Sequence, residues 1–237
     1  MYKEHPAFET PPHTCTIWRY ISFARFVWLI AKESLYFSRL DQHDDWWEGL
    51  LPKNWNIEYQ KYVRFAKYIN CWHMNVSESD AMWKLYGNSA GETVAIRTTV
   101  DRLIKSLEKS DIPVYIGKMK YEERDRPEGN LYLPVTYKRR PFRHEKELRL
   151  CISSESNDNP PDLTQLKQAL GSLGIHYQSD MEILKEIGDK GIPVRVDLDR
   201  LIREVIICPN RSPSLKDSVQ YIMRGKLSHI RIKESKI

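Results

Sequence analysis

The run Thr16-Ile17-Trp18-Arg19-Tyr20 alternates and is rich in β-formers. Behind it Phe23, Phe26, Val27, Leu29 and Ile30 recur at helical spacing, followed by Ser34-Leu35-Tyr36-Phe37-Ser38-Arg39. β-Branched and aromatic residues suit a pleated, half-buried surface, whereas a three-to-four-residue period gathers side chains on one helix face. The stretch therefore predicts a strand, a helix and a second short strand. A polar, acidic segment from Asp41 to Gly49, carrying Trp46 and Trp47, then reads as a loop.

Further along, Ile57, Tyr59, Tyr62, Val63, Phe65, Ala66 and Ile69 share one side and predict a helix over 57–69. Asn70 to Met74 reads as a buried strand. Ser77-Glu78-Ser79-Asp80 caps a short helix, Ala81 to Tyr86, ahead of Gly87. Glu92 to Thr98 is a strand, Val100 to Leu107 a helix and Pro113 to Met119 another strand. Tyr121 to Gly129 is charged and loop-like, and Leu131 to Tyr137 reads equally as a strand or a helix start. His144 to Ile152 passes from charged to apolar alternation, as a strand does when its polar end emerges at a cleft. Ser153 to Asp162 is a surface excursion around Asn157-Asp158-Asn159-Pro160-Pro161. Ile192 to Val196 is extended, Val205 to Pro209 apolar, Ser214 to Met223 helical, and Ser228 to Ile232 a terminal strand.

These pieces do not repeat as regular βαβ units. The expected fold class is α+β, a single domain with a mixed, mainly antiparallel sheet flanked by helices. Residues 1–14 hold Pro6, Pro11 and Pro12 without an apolar period, so they read as a flexible N-terminal arm, leaving 15–237 as the domain.

With 237 residues, 41% of them hydrophobic, the chain is long enough for a substantial core. Its 37 Lys and Arg against 32 Asp and Glu leave a net charge of +5, spread along the chain, so strong electrostatic binding of nucleic acid is not implied. Cys15, Cys71, Cys151 and Cys208 lie far apart without metal-ligand spacing, which fits a reducing cytosol and suggests neither a disulfide framework nor a zinc site. The apolar stretch Ile17 to Ala31 is broken by Arg19 and Arg25 and is shorter than the roughly 20 residues a bilayer-spanning helix needs. The opening Met1-Tyr2-Lys3-Glu4-His5-Pro6 is unlike a signal peptide. A cytoplasmic protein with no membrane association is expected.

The sequence has no glycine-rich phosphate loop, no GxSxG elbow, no HExxH and no EF-hand spacing. In Glu145-Lys146-Glu147-Leu148-Arg149, strand alternation would put Glu145 and Glu147 on one face, about 6–7 Å apart. Two such carboxylates can share work, one positioning a substrate and one stabilising positive charge. The competing reading is a solvated face paired with Arg143 or Arg149. Trp83 and Tyr86, on one side of the capped helix, read more readily as core than as a ligand platform. His73, between Trp72 and Met74, reads as a satisfied buried histidine rather than a base.

Several of these elements together resemble the mainly bacterial family catalogued as domain of unknown function 2971. The matching residues are Trp18-Arg19-Tyr20, Leu35-Tyr36-Phe37-Ser38 with Asp44-Asp45-Trp46-Trp47-Glu48, and Glu78-Ser79-Asp80-Ala81-Met82-Trp83 with Tyr86-Gly87. Lys138, Glu145 to Arg149, and Val205 to Pro209 complete them. The order of pieces also resembles the ADP-ribosyltransferase fold, with an early strand carrying Arg, then a helix, a Ser or Tyr element and a late strand delivering Glu. That resemblance implies NAD as the cofactor consumed, with Arg19 on its phosphates or ribose and Tyr20 or Trp83 stacked on nicotinamide. Ser38 and Tyr86 would complete the cofactor site. Glu147 would act on the nicotinamide ribose and Glu145 would orient the acceptor. No metal is needed for that chemistry.

Three readings follow. The first is an NAD-consuming transferase or glycohydrolase, a toxin or phage-defence effector acting on a protein or nucleic-acid acceptor. The second is a non-catalytic, antitoxin-like interaction protein of the same fold, with Trp46 and Trp47 as anchors for a partner protein. The third is a nucleic-acid-binding protein using Lys138-Arg139-Arg140-Pro141-Phe142-Arg143, a run that a solvated loop explains as well.

Overall fold

A computed structural model describes residues 1–43, 45, 47–49, 63–87, 91–122, 132–153 and 190–237. Its elements begin with β1 (Thr16–Ser22), α1 (Phe23–Lys32), β2 (Ser34–Arg39), β3 (Lys67–Met74), α2 (Asp80–Tyr86), β4 (Thr93–Thr99) and α3 (Val100–Ser106). They continue with β5 (Tyr115–Lys118), β6 (Lys120–Glu122), β7 (Tyr137–Arg139), β8 (Glu147–Ser153) and β9 (Gly191–Arg195). The chain ends with α4 (Leu198–Leu201), β10 (Glu204–Ile207), α5 (Leu215–Ile222) and β11 (Arg231–Glu234).

The expected α+β class is what the chain adopts. Its main sheet is mixed and mainly antiparallel, with the path β11-β10-β4-β1-β3-β2-β9, while β8 pairs with β3 and β5 with β8. Among the described strands of this sheet, only β10 and β11 run parallel.

The sheet forks at β3, and the fork makes the site. Along one edge β3 pairs with β8 over its length, from Lys67↔Ser153 to His73↔Glu147. Along the other edge its end pairs with β1 at Trp18↔His73 and its start with β2 at Ser38↔Ile69. Between them the β3 backbone at Asn70 to Trp72 lacks a ladder partner on that side, and side chains bridge the gap instead. Arg19 donates to the Cys71 carbonyl of β3, and across the gap the Asn70 side-chain Nδ2 donates to the Tyr36 carbonyl of β2 at 2.8 Å.

The main core lies against this sheet. Ile17, Phe37, Trp72, Ile96 and Leu148 from the strands, Phe26 and Leu29 from α1, and Leu103 from α3 are buried in it. Helix α1 starts where Ser22 caps the Arg25 N–H and ends at Glu33, whose φ of 47° turns the chain directly into β2. Helix α2 is capped by Ser79 and stops at Gly87, where a Cβ would lie 2.3 Å from the Trp83 carbonyl oxygen.

Several expectations are corrected. Of the helix expected over 57–69, residues 57–62 lie outside the described residues and 63–66 are helical. Lys67 to Ile69 belong to β3, because pairing with Ser153, Ile152 and Cys151 outweighs the local helical period. Within 131–137, Leu133–Thr136 is a 3-10 turn that leads into β7, and Leu131 lies outside the described residues. The strand expected from His144 begins at Glu147, since Arg140–Glu145 is a 3-10 turn and Lys146 has a φ of 40°. The terminal strand begins at Arg231, three residues later than the sequence suggests. Trp46, 123–129 and 154–162 lie outside the described residues.

Residues 1–14 lie along the start of β5 and the strand itself. The Met1 ammonium donates to the Ser110 and Ile112 carbonyls, Tyr2 bridges Val114, and Ala7 and Phe8 are buried. No helix among the described residues is long and apolar enough to cross a membrane.

Candidate active site

Across the β3–β8 ladder, His73 stands opposite Glu147 and Cys71 opposite Arg149, which places all four on one sheet face. Glu145 and Glu147 do not share a strand, because Lys146 in the left-handed region separates them. The turn nevertheless aims both carboxylates at Lys138 on β7. Lys138 Nζ lies 2.6 Å from Glu145 Oε2, 3.3 Å from Glu147 Oε2 and 2.9 Å from Glu48 Oε1. Arg149 donates from Nε to Glu147 Oε1 at 2.7 Å and from Nη2 to Glu147 Oε2 at 3.2 Å, and it also reaches Glu48 at 2.9 Å. All five side chains are buried.

This crowding separates the two glutamates electrostatically. Burial pushes the Glu147 carboxyl upward, but Arg149 and Lys138 outweigh it and hold the group well below the usual carboxylate range. Burial dominates at Glu145 and raises it, with Lys138 opposing. Lys138 is held protonated by Glu147 and Glu48 against its own desolvation. Among the described residues, the only side-chain partner of Glu145 is Lys138, at Oε2, while both Glu147 oxygens are taken by cations.

A cavity of about 140 Å³ at the fork is lined by Arg19, Tyr20, Ser38, Tyr86, Glu145 and Glu147. Six of the seven residues expected to form the site are thus brought together from five parts of the chain. Trp83 is the exception. It is buried, packs edge-on against Tyr20 with ring centroids 4.8 Å apart, and donates from Nε1 to Glu78. It supports Tyr20 and offers no face to a ligand. The Tyr20 hydroxyl accepts the Ser79 N–H at 3.0 Å and so holds the start of α2, and burial pushes its phenol up to about 12. Tyr86 stands at the rim, 42% exposed.

Sequence reasoning missed three groups. Glu48 and His43 reach the cluster through tertiary structure alone. His43 Nε2 lies 2.9 Å from the Ser38 hydroxyl, and burial lowers its pKa. His73 Nδ1 lies 2.6 Å from the Glu145 carbonyl and must carry the hydrogen, while Nε2 is buried with no hydrogen-bond partner among the described residues. Of the basic run at 138–143, Lys138 is committed to this cluster and Arg139 pairs with Asp45 at 2.9 Å and lies over the Phe142 ring. That run presents fewer cations to solvent than its sequence suggests.

Fold and site together define an α+β protein with a carboxylate and guanidinium cavity at a forked sheet. Compared with known proteins, the chain matches no family model and no curated protein.

Proposed function

We propose that the protein cleaves the nicotinamide–ribose bond of NAD, as an enzyme of the ADP-ribosyltransferase type. The observation that carries this reading is the meeting of Arg19 with the Glu145 and Glu147 carboxylates in one cavity. NAD has an anionic pyrophosphate and a cationic nicotinamide ring on either side of the reacting carbon. A cavity with guanidinium at its fork and carboxylates in its wall matches both charges. Breaking the bond develops oxocarbenium character on the ribose, which fixed negative charge stabilises.

In this reading Glu145 presents the carboxylate oxygen left over for substrate. Glu147, saturated by Arg149 and Lys138, fixes the cluster and supplies a permanent charge. The C1′–N bond breaks with its electron pair going to nicotinamide, and water or a protein nucleophile forms the new bond at C1′ and gives up its proton. Glu145→Gln is expected to lower nicotinamide release by roughly 100-fold or more while keeping the fold. Full release by that variant would remove the reading.

One observation favours a second reading. Arg19, Lys138 and Arg149 balance Glu48, Glu145 and Glu147 in charge, so the cluster is also what a non-catalytic protein would keep to brace its fork. A wild-type protein that neither releases nicotinamide nor gains melting temperature with NAD belongs to that class.

A further inference from the structure

A second cavity, of about 400 Å³, lies between α1 and β2 and contains neither carboxylate. It shares Arg19, Ile21, Arg25 and Ser38 with the polar cavity, so the two are neighbours across the fork. Its volume falls within the roughly 300–1,000 Å³ typical of small-ligand sites.

Two kinds of group meet in it. Arg25 is exposed, and its guanidinium has no acid or hydrogen-bond partner among the described residues. Arg19 is tied to the Cys71 carbonyl, and burial, together with the nearby Arg25 charge, works against its protonation. Two cations on one cavity, one of them unpaired, repel until an anion sits between them. The start of α1 adds to this positive end, since its first turn carries Ala24 and Arg25 in the cavity wall and no acidic residue.

The other group is aromatic. Trp28 and Tyr36 meet edge to face with centroids 5.7 Å apart, and Tyr36 is 44% exposed. The Tyr36 ring is seated on the backbone of Gly191, where an added Cβ would lie 2.3 Å from both Cζ and Oη. Only glycine at the start of β9 leaves room for the ring there.

We infer that this cavity is a nucleotide subsite, holding an aromatic base against Trp28 and Tyr36 and its phosphate between Arg25, Arg19 and the start of α1. That the nucleotide is the adenylate half of a dinucleotide rests on the proposed NAD chemistry, whereas recognition of base and phosphate does not.

Calorimetric titration of the whole chain with adenosine monophosphate, adenosine and inorganic phosphate tests it. Adenosine monophosphate is expected to bind more tightly than either fragment. Arg25→Ala and Trp28→Ala should each weaken it by about tenfold. Gly191→Ala, which removes no ligand contact but displaces the Tyr36 ring, should weaken it several-fold at unchanged melting temperature. Absence of binding, or binding unaltered by Arg25→Ala and Trp28→Ala, overturns the subsite, as does adenosine or phosphate matching the nucleotide. Nucleotide binding without nicotinamide release upholds the subsite and removes the NAD reading. Nicotinamide release that adenosine monophosphate does not inhibit does the reverse.

Discussion

Glu204, on β10 towards one end of the sheet, and Glu145 and Glu147, at its fork, are each less than a tenth exposed and each ion-paired, yet their surroundings differ. Glu204 meets Arg97 at 3.0 Å, Lys233 at 2.7 Å and Arg231 at 4.0 Å, all on neighbouring strands. Those cations are 26%, 37% and 70% exposed, so water shares the charge. Burial opposes the effect, but Lys233 and Arg97 hold Glu204 below its ordinary value, as a simple clamp across β4, β10 and β11 does.

At the fork Lys138 and Arg149, both buried, pair with the three carboxylates while Arg19 stands by without touching them, and two glutamates on either side of Lys146 are displaced in opposite directions. Groups pushed apart in this way occur at catalytic sites as well as in structural ion-pair networks, and the proposed function takes the first reading. An edge clamp needs no cavity, whereas the fork has one.

The largest test of that contrast is Arg149→Met. It leaves Glu147 and Glu48 buried without their main cation and should cost roughly 3–5 kcal/mol in urea denaturation, because the remaining charges cannot reach water. A cost as small as that of a surface pair would place the fork in the same class as Glu204.

Next in size is the pH response. Burial lowers the pKa values of His73 and His43, so the unfolded chain takes up protons near the ordinary value of 6.5 before the folded protein does. Their contribution is complete above that value and is lost as pH falls below it, by up to about 1.4 kcal/mol per pH unit for each histidine. Replacing both by Gln should flatten the stability profile between about pH 7.5 and 5.5, and an unchanged slope would contradict the assignment. Further down, Glu147 loses its stabilising charge only as pH drops below its ordinary value. Raised Glu145 acts in the opposite sense, its burial cost being relieved as pH falls through its folded value.

The smallest effect is expected at the clamp itself. Glu204→Gln should cost about 1 kcal/mol, since its partners remain hydrated. Thermal or urea unfolding of this variant beside Arg149→Met ranks the two clusters directly.

Local chemistry made part of this legible from sequence. The β1–α1–β2 run, the Ser79 cap and the Val100 helix follow from spacing and capping that act within a few residues. The Lys67 boundary did not, because β8 decides it from some 80 residues away. The route to the Glu145 and Glu147 pair was misread for a related reason. Nothing in Arg140-Pro141 or Lys146 announces a 3-10 turn closed by a lysine at positive φ, yet that turn, rather than strand alternation, delivers the carboxylates. Convergence of Arg19, Ser38 and Tyr86 lies in no local period of the sequence, because β1, β2 and α2 bring them to one cavity only in the folded sheet. Glu48 stood in the sequence only as the end of an acidic, tryptophan-bearing loop, and its pairing with Lys138 and Arg149 is set by the fold, as is the burial of His73 Nε2.

Nicotinamide release from NAD, measured side by side for the wild-type protein, Glu145→Gln and Glu204→Gln, tests the central claim most directly. The account predicts release by the wild type and by Glu204→Gln, and its loss in Glu145→Gln. Equal release by all three, or none from the wild type, would contradict it.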